Sequence, residues 1–434
     1  MKVHCQQQER RASPGEMGLT DVDDGPVRRC YGRQEIRVLL LENVSQKAVD
    51  VFVGQGFDVE AHAKLSEKEI VDKIGRVNVI GVRSKTKLTP AILRACKRNG
   101  PVAIGCFCIG TDQTDLDVAG QLGIPVFNAP FANTRSVAEI VMGNIIALAR
   151  GVGDCNSAMH RGTWTKSASN KFEVRGKTLG IVGYGHVGSQ LSVIAEALGM
   201  KVIFYDIDRV MAIGNATPVA TQEQLLNQAD FVSLHVPLTP LTTNMITAVE
   251  IGQMKQGASF LINYARGKCV DVNAVADALK SGVLLGAAFD VFPTEPASGE
   301  PFKNVLQGCP NTILTPHIGG STEEAQSAIG VEVANKLVDF IATGNSDSAV
   351  NFPHIGLPYD STQHRILNVH RNVPGVLREI NSVLGDYNIS SQVLGTSGSI
   401  GYMICHTDTH VAQEVFEKVA ALPNSIRTRI IEQD

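Results

Sequence analysis

Residues 177–206 read K-T-L-G-I-V-G-Y-G-H-V-G-S-Q-L-S-V-I-A-E-A-L-G-M-K-V-I-F-Y-D, and the fold turns on them. Residues 178–182 are a short apolar run of the kind that makes a buried strand. Gly183, Gly185 and Gly188 follow in G-x-G-x-x-G spacing, a helical pattern continues to Leu198, and a second apolar run, 202–205, ends on Asp206. Each glycine has its own physical task. Gly183 permits the tight turn from strand to helix, Gly185 lets a pyrophosphate approach the backbone, and Gly188 lets the helix pack close to the strand. The phosphates then meet a helix N-terminus, where free N–H groups and the dipole favour anions. Asp206 stands 18 residues past Gly188. A carboxylate there accepts hydrogen bonds from ribose hydroxyls and repels a 2′-phosphate, which favours NAD over NADP. A bare glycine motif is weak evidence. The strand before it, and the helix, second strand and terminal acid after it, make this one specific.

Upstream, apolar runs at 36–41, 77–82, 102–108 and 124–128, with a shorter one around Val59, alternate with helical patterns. Ser45 starts one helix, Ser66 and Glu69 have capping-box spacing at the head of another, and Thr89-Pro90 opens a third. Residues 116–122 form a fourth. Such alternation implies a parallel α/β sheet. Residues 131–153 read as one long helix, with Ser136 and Glu139 at capping distance. Downstream, strands at 231–236, 258–263, 284–290 and 312–314 complete a six-stranded doubly wound sheet. Ser321 and Glu324 open a helix through Ala342 that crosses back onto the first block. Residues 344–359 are rich in Gly, Pro and Ser without periodicity and read as a linker. From 366 the order becomes strand 366–370, a helix opened by Pro374, a strand pair at 389–394 and 400–406, a helix at 411–421 and a strand at 426–431. That is a βαββαβ, ferredoxin-like module. The fold class is therefore α/β, with two Rossmann-like or flavodoxin-like parallel-sheet domains and a small α+β domain.

Composition excludes several classes of function. A formal charge of −4 over 434 residues, with no basic stripe, carries no nucleic-acid signature. The nine cysteines are odd in number, with no C-x-x-C pair and no zinc spacing, so no metal site is expected and a reducing compartment fits. Cys106 and Cys108 read as two buried thiols on one face of a strand. No apolar run reaches the length of about 18 residues that a membrane span needs. Residues 1–34 have no apolar segment of a signal peptide, and Glu9, Glu16, Asp21, Asp23 and Asp24 argue against a transit peptide. The expectation is a polar, mostly disordered tail on a cytoplasmic protein.

Three residues stand where chemistry is expected. Arg266 follows a strand in N-Y-A-R-G, Glu295 lies in D-V-F-P-T-E-P after another, and His317 lies in T-P-H-I-G-G-S after a third. Ligands of a doubly wound sheet bind beyond the carboxyl ends of its strands. A histidine held by a carboxylate takes a hydroxyl proton near neutral pH, and an arginine grips a carboxylate with two hydrogen bonds. Together they suit oxidation of an alcohol beside a carboxylate, with hydride passing to nicotinamide. Singly, each has an ordinary explanation: a loop histidine is usually structural or solvated, a lone glutamate lies on the surface, and an arginine after a strand is often only a phosphate or backbone clamp.

The succession G-Y-G-H-V-G, N-x-x-R-G, D-V-F-P-T-E-P, T-P-H-I-G-G-S resembles the D-isomer-specific 2-hydroxyacid dehydrogenases. R-S-K-T at 83–86, A-I-G-C-F-C-I-G-T-D-Q at 103–113, F-N-A-P-F-A-N-T-R-S-V-A-E at 127–139 and H-R-G-T-W at 160–164 bring it closer still to the shorter, bacterial-like branch acting on 3-phosphoglycerate. The resemblance covers residues 35–434. It implies that His317 is the acid/base, that Glu295 orients it, and that Arg266 holds the substrate carboxylate and carbonyl. It implies cofactor contacts at Gly183, Gly185, His186, Val187, Gly188, Asp206, Tyr264, Ala265 and Asp290, with Gly319 and Gly320 in the histidine loop. It places Arg83 and Ser84 at the substrate and its phosphate, and Trp164 and Lys166 on an arm reaching a neighbouring subunit's cleft. The C-terminal module resembles an ACT domain, and His370, Asn372 and Asn388 match groups that hold serine between subunits.

The implied activity is NAD-dependent oxidation of 3-phosphoglycerate to 3-phosphohydroxypyruvate, the first step toward serine, by a homotetramer with serine as feedback effector. The implied organisation is a tail over 1–34 and a substrate-binding domain over 35–130 plus 321–345. An NAD-binding domain over 131–320, a linker over 346–362 and a regulatory module over 363–434 complete it. One departure stands out. Tyr264-Ala265 replaces the small pair, often Ala-Ser or Thr-Ala, usual before this arginine, so Tyr264 either narrows the pocket or faces away from it. The competing readings are a reductase for hydroxypyruvate, glyoxylate or 2-oxoglutarate, and an NAD-responsive corepressor-like binding protein.

Overall fold

A computed structural model describes residues 35–431 apart from 97–99, 297–298, 359, 361 and 409–411. The tail expected over 1–34 lies outside the described residues, as does Val411 at the head of the last helix. Five parallel strands come first: β1 (Arg37–Leu41), β2 (Asp58–His62), β3 (Val79–Val82), β4 (Ala103–Cys106) and β5 (Val126–Asn128). They are ordered β2-β1-β3-β4-β5, a flavodoxin-like sheet. Helices α1 (Gln46–Gly54), α2 (Glu67–Ile74), α3 (Pro90–Ala95) and α4 (Leu116–Gln121) connect them. Their starts follow local chemistry. Ser66 and Glu69 form a reciprocal capping box, Thr89 caps α3 with Pro90 at its first position, and Asp115 caps α4. Strand β4 stops at Cys106, so Cys108 lies beyond it rather than on its face. There the Cys108 thiol meets the carbonyls of Arg83 and Gly110.

The long helix expected over 131–153 is two helices. Helix α5 (Thr134–Arg150) ends at Gly151, whose φ of 57° is left-handed, and α6 (Val152–His160) leaves at a 68° bend. The helical periodicity persists across the break, which is why the sequence hid it. The glycine, free of a Cβ clash in that region, permits the turn. Nor do the expected caps act as caps: Ser136 bonds Thr322 and Glu139 pairs with Arg135. Helix α5 buries Val137, Val141, Ile145 and Leu148, whereas α6 buries nothing. Among the described residues no single helix is long and apolar enough to cross a membrane.

The second sheet has seven parallel strands, not six: β6 (Thr178–Val182), β7 (Lys201–Tyr205), β8 (Thr217–Pro218), β9 (Phe231–Leu234), β10 (Ser259–Asn263), β11 (Leu284–Phe289) and β12 (Thr312–Leu314). The two-residue β8 is too short to show as a pattern. Helices α7 (His186–Ala197), α8 (Gln222–Gln228), α9 (Ala248–Gln253) and α10 (Val272–Lys280) connect the strands. Their order, β12-β11-β10-β9-β6-β7-β8, reverses direction between β6 and β9, the crevice where such sheets take ligands.

Helix α11 (Glu323–Thr343), capped by Thr322 rather than Ser321, returns the chain to the first sheet. Ile329, Val333, Leu337 and Phe340 join the core formed by Val38, Leu40, Ala103 and Phe127, each contributing about 1.5–3 kcal/mol by burial.

The last unit holds β13 (His364–Arg371), α12 (Val376–Leu384), β14 (Ile389–Ser397), β15 (Ile400–Thr407), α13 (Ala412–Ala420) and β16 (Ser425–Ile431) in an antiparallel sheet ordered β14-β15-β13-β16, the ferredoxin-like arrangement. Alternation along β13 divides it. Ile366 packs under α12 and α13, while Leu367 and Val369 join Phe340 and Phe352 in the core of the first block. The stretch read as a linker is a packed connection. Ala349 bridges Phe127, Asn351 bonds the backbone of Leu116, Ile124 and Val126, and Ser346 is fully buried. Side chains of the small sheet cap the carbonyls at the end of α11: Arg429 those of Phe340 and Ile341, Arg365 that of Thr343, and Tyr402 that of Gly344.

Candidate active site

The glycine loop behaves as its spacing requires. Gly183 has φ 90°, and a Cβ there would lie 2.6 Å from the carbonyl oxygen of His235, because the loops after β6 and β9 close on each other. A Cβ on Gly188 would lie 2.3 Å from the Gly183 carbonyl oxygen. A Cβ on Gly185 would meet nothing within 4 Å, so an anion has room to approach the backbone there. His186 and Val187 begin α7, and the His186 ring lies 3.6 Å from that of Phe131, on the connection from the first block. Asp206, at the end of β7, accepts the Tyr184 N–H at 2.7 Å with one oxygen and the Asp208 N–H with the other, which holds the carboxylate beside the glycine loop. Open backbone, a helix N-terminus and an acid at the second strand fit a dinucleotide. His235, unremarked in the sequence, lies at the same switch point. Its Nε2 is 2.8 Å from the Ser233 hydroxyl, and burial pushes the imidazole down to about 4, so it is neutral.

Arg266, Glu295 and His317 come together at the carboxyl ends of β10, β11 and β12. A Cβ on Gly267 would fall 1.9 Å from the carbonyl carbon of Phe292, so the R-G pair lets the arginine loop lie against the glutamate loop. His317 Nδ1 is 2.8 Å from Glu295 Oε2, and Glu295 Oε1 accepts the Phe292 N–H at 3.1 Å. The imidazole side chain is 54% exposed, so the other ring nitrogen has access to solvent. Burial works to raise the Glu295 carboxyl. The His317 hydrogen bond, the Phe292 amide and the charges of His317 and Arg266 outweigh it and hold the group below the ordinary value. The Glu295 hydrogen bond raises His317 above the ordinary imidazole value, against burial and against Arg266. The guanidinium of Arg266 is thus close enough to act on both members of the pair.

His317 itself adopts φ 56°, rare for a residue with a side chain. The conformation is held by Asp290, whose carbonyl accepts the His317 N–H and whose carboxylate accepts the N–H groups of Ile318 and Gly319 and the Thr315 hydroxyl. Asp290 is 2% exposed and both its carboxylate oxygens serve the histidine loop. Tyr264 is buried beside the histidine loop, and its hydroxyl meets Asn144 and Thr315. Ala265, also buried, donates its N–H to the Asn263 side chain. A Cβ on Gly320 would fall 2.1 Å from the Asn133 side chain, and one on Gly319 would press tightly on Asp290 and Tyr264.

The remaining residues lie elsewhere. Arg83 and Ser84 follow β3 on the first sheet, in a loop clamped by Glu42, whose carboxylate accepts the backbone N–H groups of Arg83, Lys85 and Thr86. Nothing local marked Glu42, which lies 41 residues earlier with φ 67°. Trp164 is 80% exposed and, with Lys166, lies beyond α6. His370 is buried against Asn368, and burial lowers it. Asn372 lies at the β14–β15 hairpin, bonded to the Gly398 carbonyl, and Asn388 bonds Asp408 at the other end of the same strand pair. Within one chain the two asparagines do not converge. Among the described residues no cluster of His, Cys, Asp or Glu is arranged to hold a metal.

Comparison with known proteins gives this geometry a context. Residues 142–319 match the family described as D-isomer specific 2-hydroxyacid dehydrogenase, NAD binding domain. The chain is 52% identical over 403 residues to D-3-phosphoglycerate dehydrogenase of Dictyostelium discoideum, covering 92% of this chain and 98% of the relative. It is 48% identical over 406 residues to the protein of that name in Escherichia coli K12, again covering 92% and 98%. Among solved structures, the NAD-complexed D-isomer specific 2-hydroxyacid dehydrogenase of Lactobacillus delbrueckii ssp. bulgaricus superposes with a TM-score of 0.64 at 25% identity, over 73% of this chain and 100% of that one.

Proposed function

The chain belongs to the D-isomer-specific 2-hydroxyacid dehydrogenases, in their D-3-phosphoglycerate dehydrogenase branch, and on that premise we propose how its crevice oxidises 3-phosphoglycerate to 3-phosphohydroxypyruvate. The cofactor is NAD, which accepts the hydride. The carrying observation is the 2.8 Å contact of His317 and Glu295 within reach of the Arg266 charge. Arg266 holds the substrate carboxylate and the oxygen that becomes the carbonyl. His317 takes the hydroxyl proton through Nε2, because Glu295 occupies Nδ1 and fixes the tautomer. The resulting imidazolium is stabilised by the carboxylate beside it. Arg83 and Ser84, held in place by Glu42, receive the phosphate when the two blocks close over the substrate and exclude water. Asp206 bonds the ribose and selects NAD.

In this reading 35–130 plus 321–345 is the substrate-binding unit and 131–320 the NAD-binding unit, preceded by the 1–34 tail and joined through the 346–362 linker to 363–434, an ACT-like sensor. Serine binds that sensor between subunits of a homotetramer, in contact with His370, Asn372 and Asn388. The separation of the two asparagines within one chain supports a site completed by a second copy. Trp164 and Lys166, on the exposed arm, reach the neighbouring subunit. The cytoplasm is the proposed compartment, supported by the seven described cysteines, all free.

Two assays test this. Rates of NAD reduction are compared for 3-phosphoglycerate, glycerate and 2-hydroxyglutarate. Preference for the phosphorylated substrate is expected in the parent and is lost in Arg83→Ala. Equal rates on all three would favour the broader reductase, and binding without turnover the corepressor-like protein. Serine inhibition is then compared in Asn372→Ala plus Asn388→Ala. It is abolished if the effector site is right, and unchanged inhibition removes it.

A further inference from the structure

We infer that Tyr264 is a positioning residue for His317, acting through a directed hydrogen-bond chain Asn144–Tyr264–Thr315–Asp290 that links α5 to the acid/base loop. The inference rests on the reading of His317 as that acid/base.

Proton inventory sets the direction of the chain. The Asp290 carboxylate only accepts, so the Thr315 hydroxyl, 2.6 Å from Oδ1, spends its single proton there. Thr315 therefore accepts from the Tyr264 hydroxyl at 3.0 Å, and Tyr264, its proton committed, accepts from the Asn144 amide at 2.6 Å. Every proton has one destination, and each bond polarises the next. The chain ends on the carboxylate that also accepts from Ile318 and Gly319, the two residues after His317. Contact is also direct: a Cβ on Gly319 would stand 3.2 Å from Cδ1 of the Tyr264 ring. Ring and hydroxyl thus buttress a turn whose histidine sits at φ 56°. The phenol is the link that the usual small residues cannot supply. Burial also pushes Tyr264 up to about 12, so the hydroxyl stays a donor across the working pH range.

Removing that hydroxyl leaves Thr315 without a donor and loosens its grip on Asp290. The His317 turn then relaxes away from Glu295. Arg266 and the glycine loop lie outside this chain of bonds, so the loss falls on turnover. The test is steady-state kinetics of full-length Tyr264→Phe, Thr315→Val and the double variant, with His317→Ala beside them, and NADH binding followed by nicotinamide fluorescence as a check on folding. Tyr264→Phe is expected to lower kcat about 5- to 20-fold, a fraction of what a general base supplies, with both KM values within about two-fold. The acid limb of kcat/KM is expected to move to lower pH, because a loosened Glu295 raises His317 less. The double variant should be no worse than the poorer single variant, as for two links of one chain. Asn144→Ala, at the far end, should show the same pattern more weakly and serves if Tyr264→Phe does not fold. Unchanged kcat and acid limb in Tyr264→Phe, additive losses in the double variant, or a loss confined to KM overturns the inference and leaves His317 in its role. Full activity in His317→Ala removes the premise itself.

Discussion

At the residue scale the proposed chemistry reduces to one pair and the charge beside it. Glu295 raises the proton affinity of His317 and Arg266 lowers it, with the raising effect dominant. The base must be neutral to accept a proton, so alcohol oxidation should increase with pH through a midpoint above the ordinary imidazole value. Glu295→Gln removes the carboxylate, and the midpoint should then move down while kcat falls about 10- to 100-fold, less than the loss of the base itself. A pH profile of kcat/KM for both proteins checks this, and an unmoved midpoint would show that Glu295 does not govern the imidazole. The three residues were legible because each follows a strand in a compact motif. Asp290 was legible as a position, but its hydrogen bonds to the turn at 315–319 were not, since they are set by that turn. The partner of the Tyr264 hydroxyl was not legible, because Asn144 lies 120 residues away.

Among the elements, the β6–α7 unit carries the most information per residue. Its glycines separate into two classes that experiment can distinguish. Gly188→Ala drives a Cβ into the Gly183 carbonyl, 2.3 Å away, and should cost about 1–3 kcal/mol as α7 is pushed off β6. Gly185→Val meets open space in the fold and should leave the melting temperature nearly unchanged while weakening NAD binding. Thermal melts with and without NAD read both. Equal destabilisation by the two substitutions would contradict the assignment of Gly185 to the ligand. Strand positions were legible from apolar runs, because a parallel sheet buries both faces of its strands. The division of α5 from α6 was not, since a single left-handed residue, Gly151, interrupts an otherwise continuous helical pattern. The two-residue β8 has no period to detect.

For the whole molecule, the return of α11 to the first sheet was legible from one long capped helix. The docking of the C-terminal sheet was not, because its contacts join residues far apart in the chain. Arg365 is 1% exposed and donates to the carbonyls of Thr343, Leu357 and Pro358 and to His406 Nε2, tying the end of α11, the connection and the last module together. Arg365→Ala strands those acceptors and should destabilise the protein by about 2–4 kcal/mol in a thermal melt. A loss within error of zero would mean that the module is not held through this residue. The account as a whole stands on His317 as the group that takes the proton. Reduction of NAD by 3-phosphoglycerate, followed by the absorbance of the reduced nicotinamide in the parent and in His317→Ala, tests it most directly. The account predicts turnover in the parent and a kcat lower by about 10²- to 10⁴-fold in the variant, with NADH binding retained. An inert parent, or a variant as fast as the parent, would contradict it.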